Sequence, residues 1–238
     1  MLRSLFFYVY FILYVLFTFI NNIKYQYYKK FKGKDISEKY LKKVVYDWGR
    51  NSISKTGSKV KVIGMENLPE GNCLFVGNHQ SLFDIPLMVS AIDKSMGFIA
   101  KDNLIKVPII SAWMRRMHCI FINRSNVREA IKSINEGIEN LRNGYSMVIF
   151  PEGTRSKDGS IGEFKKGSLK LGTKIDIPIV PITINGTFNI FEAQGKIKPA
   201  KITLIISKPI YAKNYTKAEQ GELSEFIKEI INSNLKEI

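Results

Sequence analysis

From Lys59 onward, short apolar runs alternate with longer stretches whose apolar residues recur at helical spacing. The runs Val60–Ile63, Cys73–Val76, Gly97–Ala100, Ile120–Ile122, Met147–Phe150, Ile179–Asn185 and Ile202–Ile206 read as strands. Helices are expected over Ile85–Ile92, Leu104–Met117, Val127–Asn143, Lys166–Lys174 and Ala218–Leu235. In the third of these, Val127, Ile131, Ile134, Ile138 and Leu141 share one stripe, and Gly144 ends it as a residue free to take positive φ. Strand–helix alternation of this kind predicts an α/β fold, a mixed, largely parallel sheet flanked by helices. Neither an internal repeat nor a long linker interrupts it.

Before Lys59 the pattern is different. Leu5 to Ile20 is apolar apart from Thr18, a run just short of the ~20 residues that span a bilayer core. Asn21, Asn22, Ile23 and Lys24 follow, with no small-x-small cleavage site. Tyr8, Tyr10 and Tyr14 within the run suit an interfacial depth. Further on, Tyr40, Leu41, Val44, Val45 and Trp48 fall on one helical face, with Lys39, Lys42, Lys43 and Asp47 mostly off it. An apolar face with basic flanks is the composition of a helix in the headgroup layer of an anionic membrane; packing on the domain's own core is the competing use. The expected division is therefore residues 1–58 as membrane-anchoring helices and 59–238 as the globular domain. The lysines downstream of the apolar run predict that this domain lies on the cytoplasmic face of the cell membrane.

Composition sharpens this picture. The 238 residues carry 36 Lys+Arg against 21 Asp+Glu, a formal net charge of +15. Residues 1–60 hold 12 of the basic and only 3 of the acidic residues, a local net of +9. Of the 28 aromatic residues, 15 lie at or before Trp48, so charge and aromatics concentrate beside the apolar run. An anionic membrane surface is the expected polyanionic partner. Nucleic acid is the alternative that the Lys/Tyr/Phe mixture at 24–34 raises, and its position after an apolar run argues against it. Cys73 and Cys119 form no CxxC pair, which excludes a disulfide scaffold and a cysteine-based zinc site and fits a reducing compartment.

Candidate chemistry clusters at strand ends. Gly77-Asn78-His79-Gln80-Ser81-Leu82-Phe83-Asp84 follows the second strand and opens a helix. A turn between His79 and Asp84 could bring the carboxylate to one imidazole nitrogen and leave the other to take a proton from a hydroxyl. Taken alone, Asp84 could equally cap the helix. Phe150-Pro151-Glu152-Gly153-Thr154-Arg155 follows another strand and joins an acid, a glycine and an arginine suited to phosphate. Arg124 follows the strand ending at Ile122, and Lys101 closes the strand before it. Four strand ends thus deliver their side chains to the edge where parallel α/β sheets place ligands.

In their order, His79-x4-Asp84, Phe121-Ile122-x-Arg124, Phe150-Pro151-Glu152-Gly153-Thr154-Arg155 and Val180-Pro181-Ile182 resemble the four motif blocks of the glycerolipid acyltransferase family, over roughly residues 60–210. Phe164-Lys165-Lys166-Gly167 also looks like that family. The second block departs from its pattern, with His118 where glycine is usual and Asn123 where aspartate is frequent. His118 is expected to be a partly exposed residue ending the preceding helix.

The resemblance implies transfer of a fatty acyl group from a thioester, acyl-CoA or acyl-ACP, to the free hydroxyl of lysophosphatidic acid. It implies His79 as general base, oriented by Asp84. Arg124 and Arg155 would hold the acceptor phosphate, with Lys101 as a further contact, and Glu152, Gly153 and Thr154 would form the substrate loop. Backbone N–H groups around Gly153 are oxyanion-site candidates. No cofactor and no metal are expected. Rival readings are acylation of glycerol-3-phosphate or another lysophospholipid, a hydrolase using Ser81, a nucleic-acid-binding protein and a membrane scaffold.

Overall fold

The computed structural model describes residues 2–123, 126–165 and 167–238. The chain opens with two long helices, α1 (Leu2–Phe31) and α2 (Lys34–Thr56). There follow β1 (Lys59–Ile63), β2 (Leu74–Gly77), α3 (Asp84–Ala91), β3 (Met96–Lys101), α4 (Pro108–Arg116), β4 (Ile120–Ile122) and α5 (Val127–Arg142). The remainder is β5 (Ser146–Ile149), α6 (Lys170–Thr173), β6 (Pro178–Asn185), β7 (Lys201–Ile206), β8 (Ile210–Tyr211) and α7 (Lys217–Lys236).

The eight strands form one sheet in the order β1-β7-β6-β2-β5-β3-β4, with β8 also on β6. Pairs β1–β7, β2–β6, β2–β5, β3–β5 and β3–β4 are parallel; only β6–β7 and β6–β8 are antiparallel. This is the mixed, largely parallel sheet expected. Side-chain alternation splits its core in two. Phe75, Val148, Val180 and Ile182 face one way, against α2, α3 and α4. Leu74, Val76, Met147, Ile149 and Ile179 face the other, against α5, α6 and α7. Central strands buried on both faces explain why their sequences are continuous apolar runs.

Three elements differ from the pattern-based expectation. The helix expected over 104–117 is broken into a 3-10 turn at Asp102–Lys106 and α4, because Pro108 has no N–H to donate and takes the first helical turn instead. Within 166–174 only α6 is α-helical; Gly167 at φ 82° turns the chain just before it. The two-residue β8 is too short to leave a periodic signal.

The largest difference concerns α2. Its predicted apolar face turns inward, toward the rest of the protein. Leu41 and Val44 are buried, and Val45 and Trp48 pack on the core beneath α3. Periodicity reveals that a face exists, not what covers it.

The inverse holds for α1. Its outward face carries Leu5, Phe6, Val9, Ile12, Leu13, Leu16, Phe17, Phe19, Ile20 and Ile23, all exposed. Its inward side is more polar: Thr18 and Tyr25 are buried, and Asn21 accepts from Tyr40 Oη at 2.9 Å. Arg3–Phe31 meets the length and apolarity needed to cross a membrane, with only 17% of its most apolar window buried. An apolar face turned outward is opposite to what a water-facing helix shows.

Candidate active site

The carboxyl ends of β2 and β5 are neighbours, so the loops that follow them meet. Beyond Gly77, Asn78 continues the pairing with β6 through its side chain: Nδ2 donates to Ile184 O and Oδ1 accepts from Ile184 N, both at 2.8 Å. The chain then turns sharply through residues 79–83 into α3. Asp84 begins that helix, fully buried, and its carboxylate folds back into the turn. Oδ2 accepts from His79 Nδ1 at 2.7 Å, Gln80 N at 2.7 Å and Ser81 N at 2.9 Å. Oδ1 accepts from Thr187 Oγ1 at 2.6 Å. Asp84 therefore does more than start a helix. With four donors converging on it, it fixes the turn and the imidazole together.

The carboxylate only accepts, which places the His79 proton on Nδ1 and leaves Nε2 with a bare lone pair. Nε2 has no hydrogen-bond partner among the described residues. The ring lies flat on Phe150, with centroids 4.2 Å apart and planes 10° from parallel. His79 is thus held by a carboxylate on one edge and an aromatic face beneath, with its side chain 17% exposed. It can accept a proton from a hydroxyl brought to that edge.

Glu152 is buried, at 6% exposure. Oε1 accepts from His79 N at 2.8 Å and Oε2 from Gly162 N at 2.9 Å, so it ties the two loops at their backbones. Burial pushes its carboxyl above the ordinary glutamate range, and these two N–H bonds partly oppose that. A side chain at Gly162 would place Cβ 2.8 Å from Glu152 Oε2, too close for any other residue without a shift.

The other predicted residues fall as follows. Lys101 ends β3, exposed, beside Ile122 on the same sheet edge. Thr154 and Arg155 are exposed on the Glu152 loop. Gly153 takes φ 70°, and its N–H is donated to Phe150 O at 2.9 Å, so that amide is not available to an oxyanion. Arg124 lies outside the described residues. Ser81 Oγ, wholly buried, donates to Glu192 Oε2 at 2.6 Å and has no histidine on it, which removes the hydrolase reading. Burial pushes the Cys119 thiol up to about 12 and the Cys73 thiol up to about 11, so neither presents a thiolate.

Two residues with no place in the motif reading complete the site. Thr187, just past β6, supplies the fourth donor to Asp84. Glu192 accepts from Ser81 Oγ, from Leu82 N at 2.9 Å and from Arg155 Nη1 at 2.8 Å, linking the histidine turn to the arginine loop. Glu192 had one signal in the sequence, being the only carboxylate between Asp176 and Glu219.

His118 ends α4 in the left-handed conformation, φ 58°. Glycine takes that helix-ending geometry without the roughly 1–2 kcal/mol that a side chain adds, which accounts for the glycine usual at this position. The His118 ring is half-buried and stacks on Tyr145, at the opposite edge of the sheet from His79.

A histidine–carboxylate pair thus stands at a parallel-sheet edge, with an arginine on the adjoining loop. The Acyltransferase family model matches residues 59–185, and the chain belongs to that family. Among curated relatives, the 1-acyl-sn-glycerol-3-phosphate acyltransferase BAT2, chloroplastic, of Brassica napus is 38% identical over 157 residues, 64% of this chain and 45% of that protein. The probable 1-acyl-sn-glycerol-3-phosphate acyltransferase of Mycoplasma pneumoniae is 32% identical over 71% of this chain and 68% of its own length. The chain thus spans less than half of the plant relative's length and about two thirds of the bacterial one's. Among solved structures, the 1-acyl-sn-glycerophosphate (LPA) acyltransferase PlsC from Thermotoga maritima superposes with a TM-score of 0.88 at 31% identity, covering 99% of this chain and 94% of that one.

Proposed function

We propose that the protein transfers a fatty acyl group from an acyl thioester to the free sn-2 hydroxyl of 1-acyl-glycerol-3-phosphate, forming phosphatidic acid in phospholipid biosynthesis. The observation that carries this reading is the His79 Nδ1–Asp84 Oδ2 contact at 2.7 Å with Nε2 left bare at the rim. The activity for which the relatives are named supplies the acceptor class. His79 Nε2 takes the hydroxyl proton as the substrate oxygen attacks the thioester carbonyl. Asp84 stabilises the imidazolium that forms. The tetrahedral intermediate then collapses, the C–S bond breaks, and the leaving thiolate takes the proton back from His79. Proton transfer by a base so placed contributes roughly 10²–10⁴ in rate. The thioester, on coenzyme A or acyl carrier protein, is a co-substrate, and no resident cofactor or metal enters these steps.

Arg155, half exposed and held from behind by Glu192, is the described arginine available to the acceptor phosphate. Lys101, the last residue of β3, belongs to the same edge. Phe7 of α1 packs on Phe83, ring centroids 5.5 Å apart, one residue before Asp84. The outward apolar face of α1 therefore ends beside the site, and Leu82, 55% exposed, lies in the histidine turn itself. Acyl chains resting in a membrane against α1 would bring their glycerol hydroxyl to His79. The basic segment after the apolar run favours the cytoplasmic face.

The test is an acyl-transfer assay of purified protein against a matrix of thioester donors and phosphate-bearing acceptors, repeated with His79→Ala. The expected result is transfer to 1-acyl-glycerol-3-phosphate that falls by at least about 10²-fold in the variant with its fold retained. Near-normal transfer by His79→Ala defeats the mechanism. Preference for glycerol-3-phosphate or another lysophospholipid defeats the acceptor assignment alone.

A further inference from the structure

At the amino edge of the sheet, opposite His79, a groove of about 830 Å³ opens between the C-terminal half of α1, the start of α2, α4 and the loop before β5. Lys29, Lys34, Arg115 and Arg116 line it, against one carboxylate, Glu38. Among the described residues none of the four cations makes an ion pair. Arg116 is the most telling. It lies within 5.1 Å of the Trp113 ring and 5.4 Å of the Tyr25 ring, and its one protein hydrogen bond runs from Nη2 to the neutral Asn22 Oδ1 at 2.6 Å. Its Nη1 is shielded from solvent and has no partner, as is also true of His118 Nε2. Burial pulls both groups' affinity for a proton down.

A guanidinium N–H shielded from water with no acceptor leaves part of its hydrogen-bonding capacity unmet, and natural proteins rarely leave a donor so placed. Here the surrounding protein supplies aromatic faces and an amide instead. The groove also holds the single non-glycine residue with positive φ among those described, His118, whose ring stacks on Tyr145 at 3.5 Å while Lys34 sits over the other ring at 5.9 Å. Strained backbone that fixes a side chain at the wall of an open groove points to use of that groove. The groove lies on the inner side of α1, lined by Tyr25 and Lys29, while exposed Ile23, Tyr27 and Phe31 carry the apolar face on the far side of the same helix.

We infer that this groove binds the phosphate of an anionic phospholipid headgroup, at a second lipid site separate from the one at His79. Arg116 and Lys34 supply the charge, and Tyr145 and His118 form one wall. Such a site anchors the amino edge of the domain at the bilayer while α1 holds the His79 edge there. The inference takes the α1 face as membrane-bound but is independent of which acceptor is acylated.

The experiment measures binding of the full-length protein to vesicles of phosphatidylcholine with and without phosphatidylglycerol. It compares two equal losses of charge: Arg116→Gln with Lys34→Gln inside the groove, and Lys30→Gln with Lys32→Gln on the neighbouring surface. Diffuse attraction depends on how much basic charge is near the membrane rather than on where it sits, so removing either pair lowers it alike. A built site predicts a further loss of about tenfold for the groove pair on phosphatidylglycerol vesicles, the affinity for neutral vesicles being the same for both pairs. Acyl transfer in neutral detergent remains at the wild-type level in the groove pair, which shows that it folds. Arg116→Lys, which keeps the charge, restores part of the preference. Equal losses in the two pairs overturn the inference. Abolition of the preference by inorganic phosphate at constant ionic strength overturns the lipid assignment in favour of a free-phosphate site.

Discussion

The two edges of the sheet solve opposite problems with similar side chains. At the carboxyl edge, the buried Asp84 and Glu152 carboxylates accept six hydrogen bonds between them, and the half-exposed Arg155 rests on Glu192. Among the described residues, His79 Nε2 is left without a hydrogen-bond partner. At the amino edge, cations outnumber carboxylates four to one along the groove, and Arg116 is half-buried with no ionic partner. A saturated network holds one atom in one place, as a proton-transfer site requires. An unsaturated one waits for an external charge. The difference lies in where the missing partner comes from: a reacting hydroxyl in the first case, a bound anion in the second.

Breaking the saturated edge should have the largest consequences. Asp84→Asn exchanges an acceptor for a group whose NH₂ must face the donors of His79, Gln80, Ser81 or Thr187. The imidazole loses its orienting charge, and transfer should fall by roughly 10³–10⁴ in kcat, with a loss of thermal stability measurable by calorimetry. An active, fully stable variant would mean that the carboxylate is ornamental to the turn. Glu192→Ala comes next, since it releases both the Ser81–Leu82 turn and Arg155. It should lower kcat roughly tenfold and raise the apparent Michaelis constant for the phosphate-bearing acceptor more than that for the thioester, the size expected from losing hydrogen bonds to a charged group. Equal changes for both substrates would restrict Glu192 to the turn. Thr187→Val removes one donor from Asp84 while keeping the shape. A loss of only a few-fold in kcat is expected, the net worth of one such bond being about 1 kcal/mol. Against these, the charge-removing changes at Arg116 and Lys34 should leave turnover in detergent untouched and act only on membrane preference, which is the sharpest separation of the two edges.

Much of the His79 site was legible beforehand because its chemistry is local. His79 and Asp84 sit five residues apart in one turn, and the strand ends that carry Lys101 and Glu152 follow from apolar runs punctuated by polar loops. Parallel strands then send those ends to one edge. The partners that complete the network were hidden for the reverse reason. Thr187 meets Asp84 across 103 residues and Glu192 meets Ser81 across 111, contacts set by the pairing of β6 beside β2 rather than by any spacing along the chain. The matched family span ends at Asn185, just short of both.

By itself the sequence determined the α/β alternation, the apolar and basic character of the first sixty residues, and the chemistry gathered at the strand ends. All three are short-range properties of period and composition. Tertiary structure decided what each face meets. It buried the apolar side of α2 under α3 and left most of the apolar run of α1 facing outward. It also placed Glu152 on the His79 backbone, and assembled the Arg116 groove from segments as distant as Lys29 and Tyr145. Which surfaces become neighbours depends on packing the whole sheet and its helices at once, and no local pattern contains that sum.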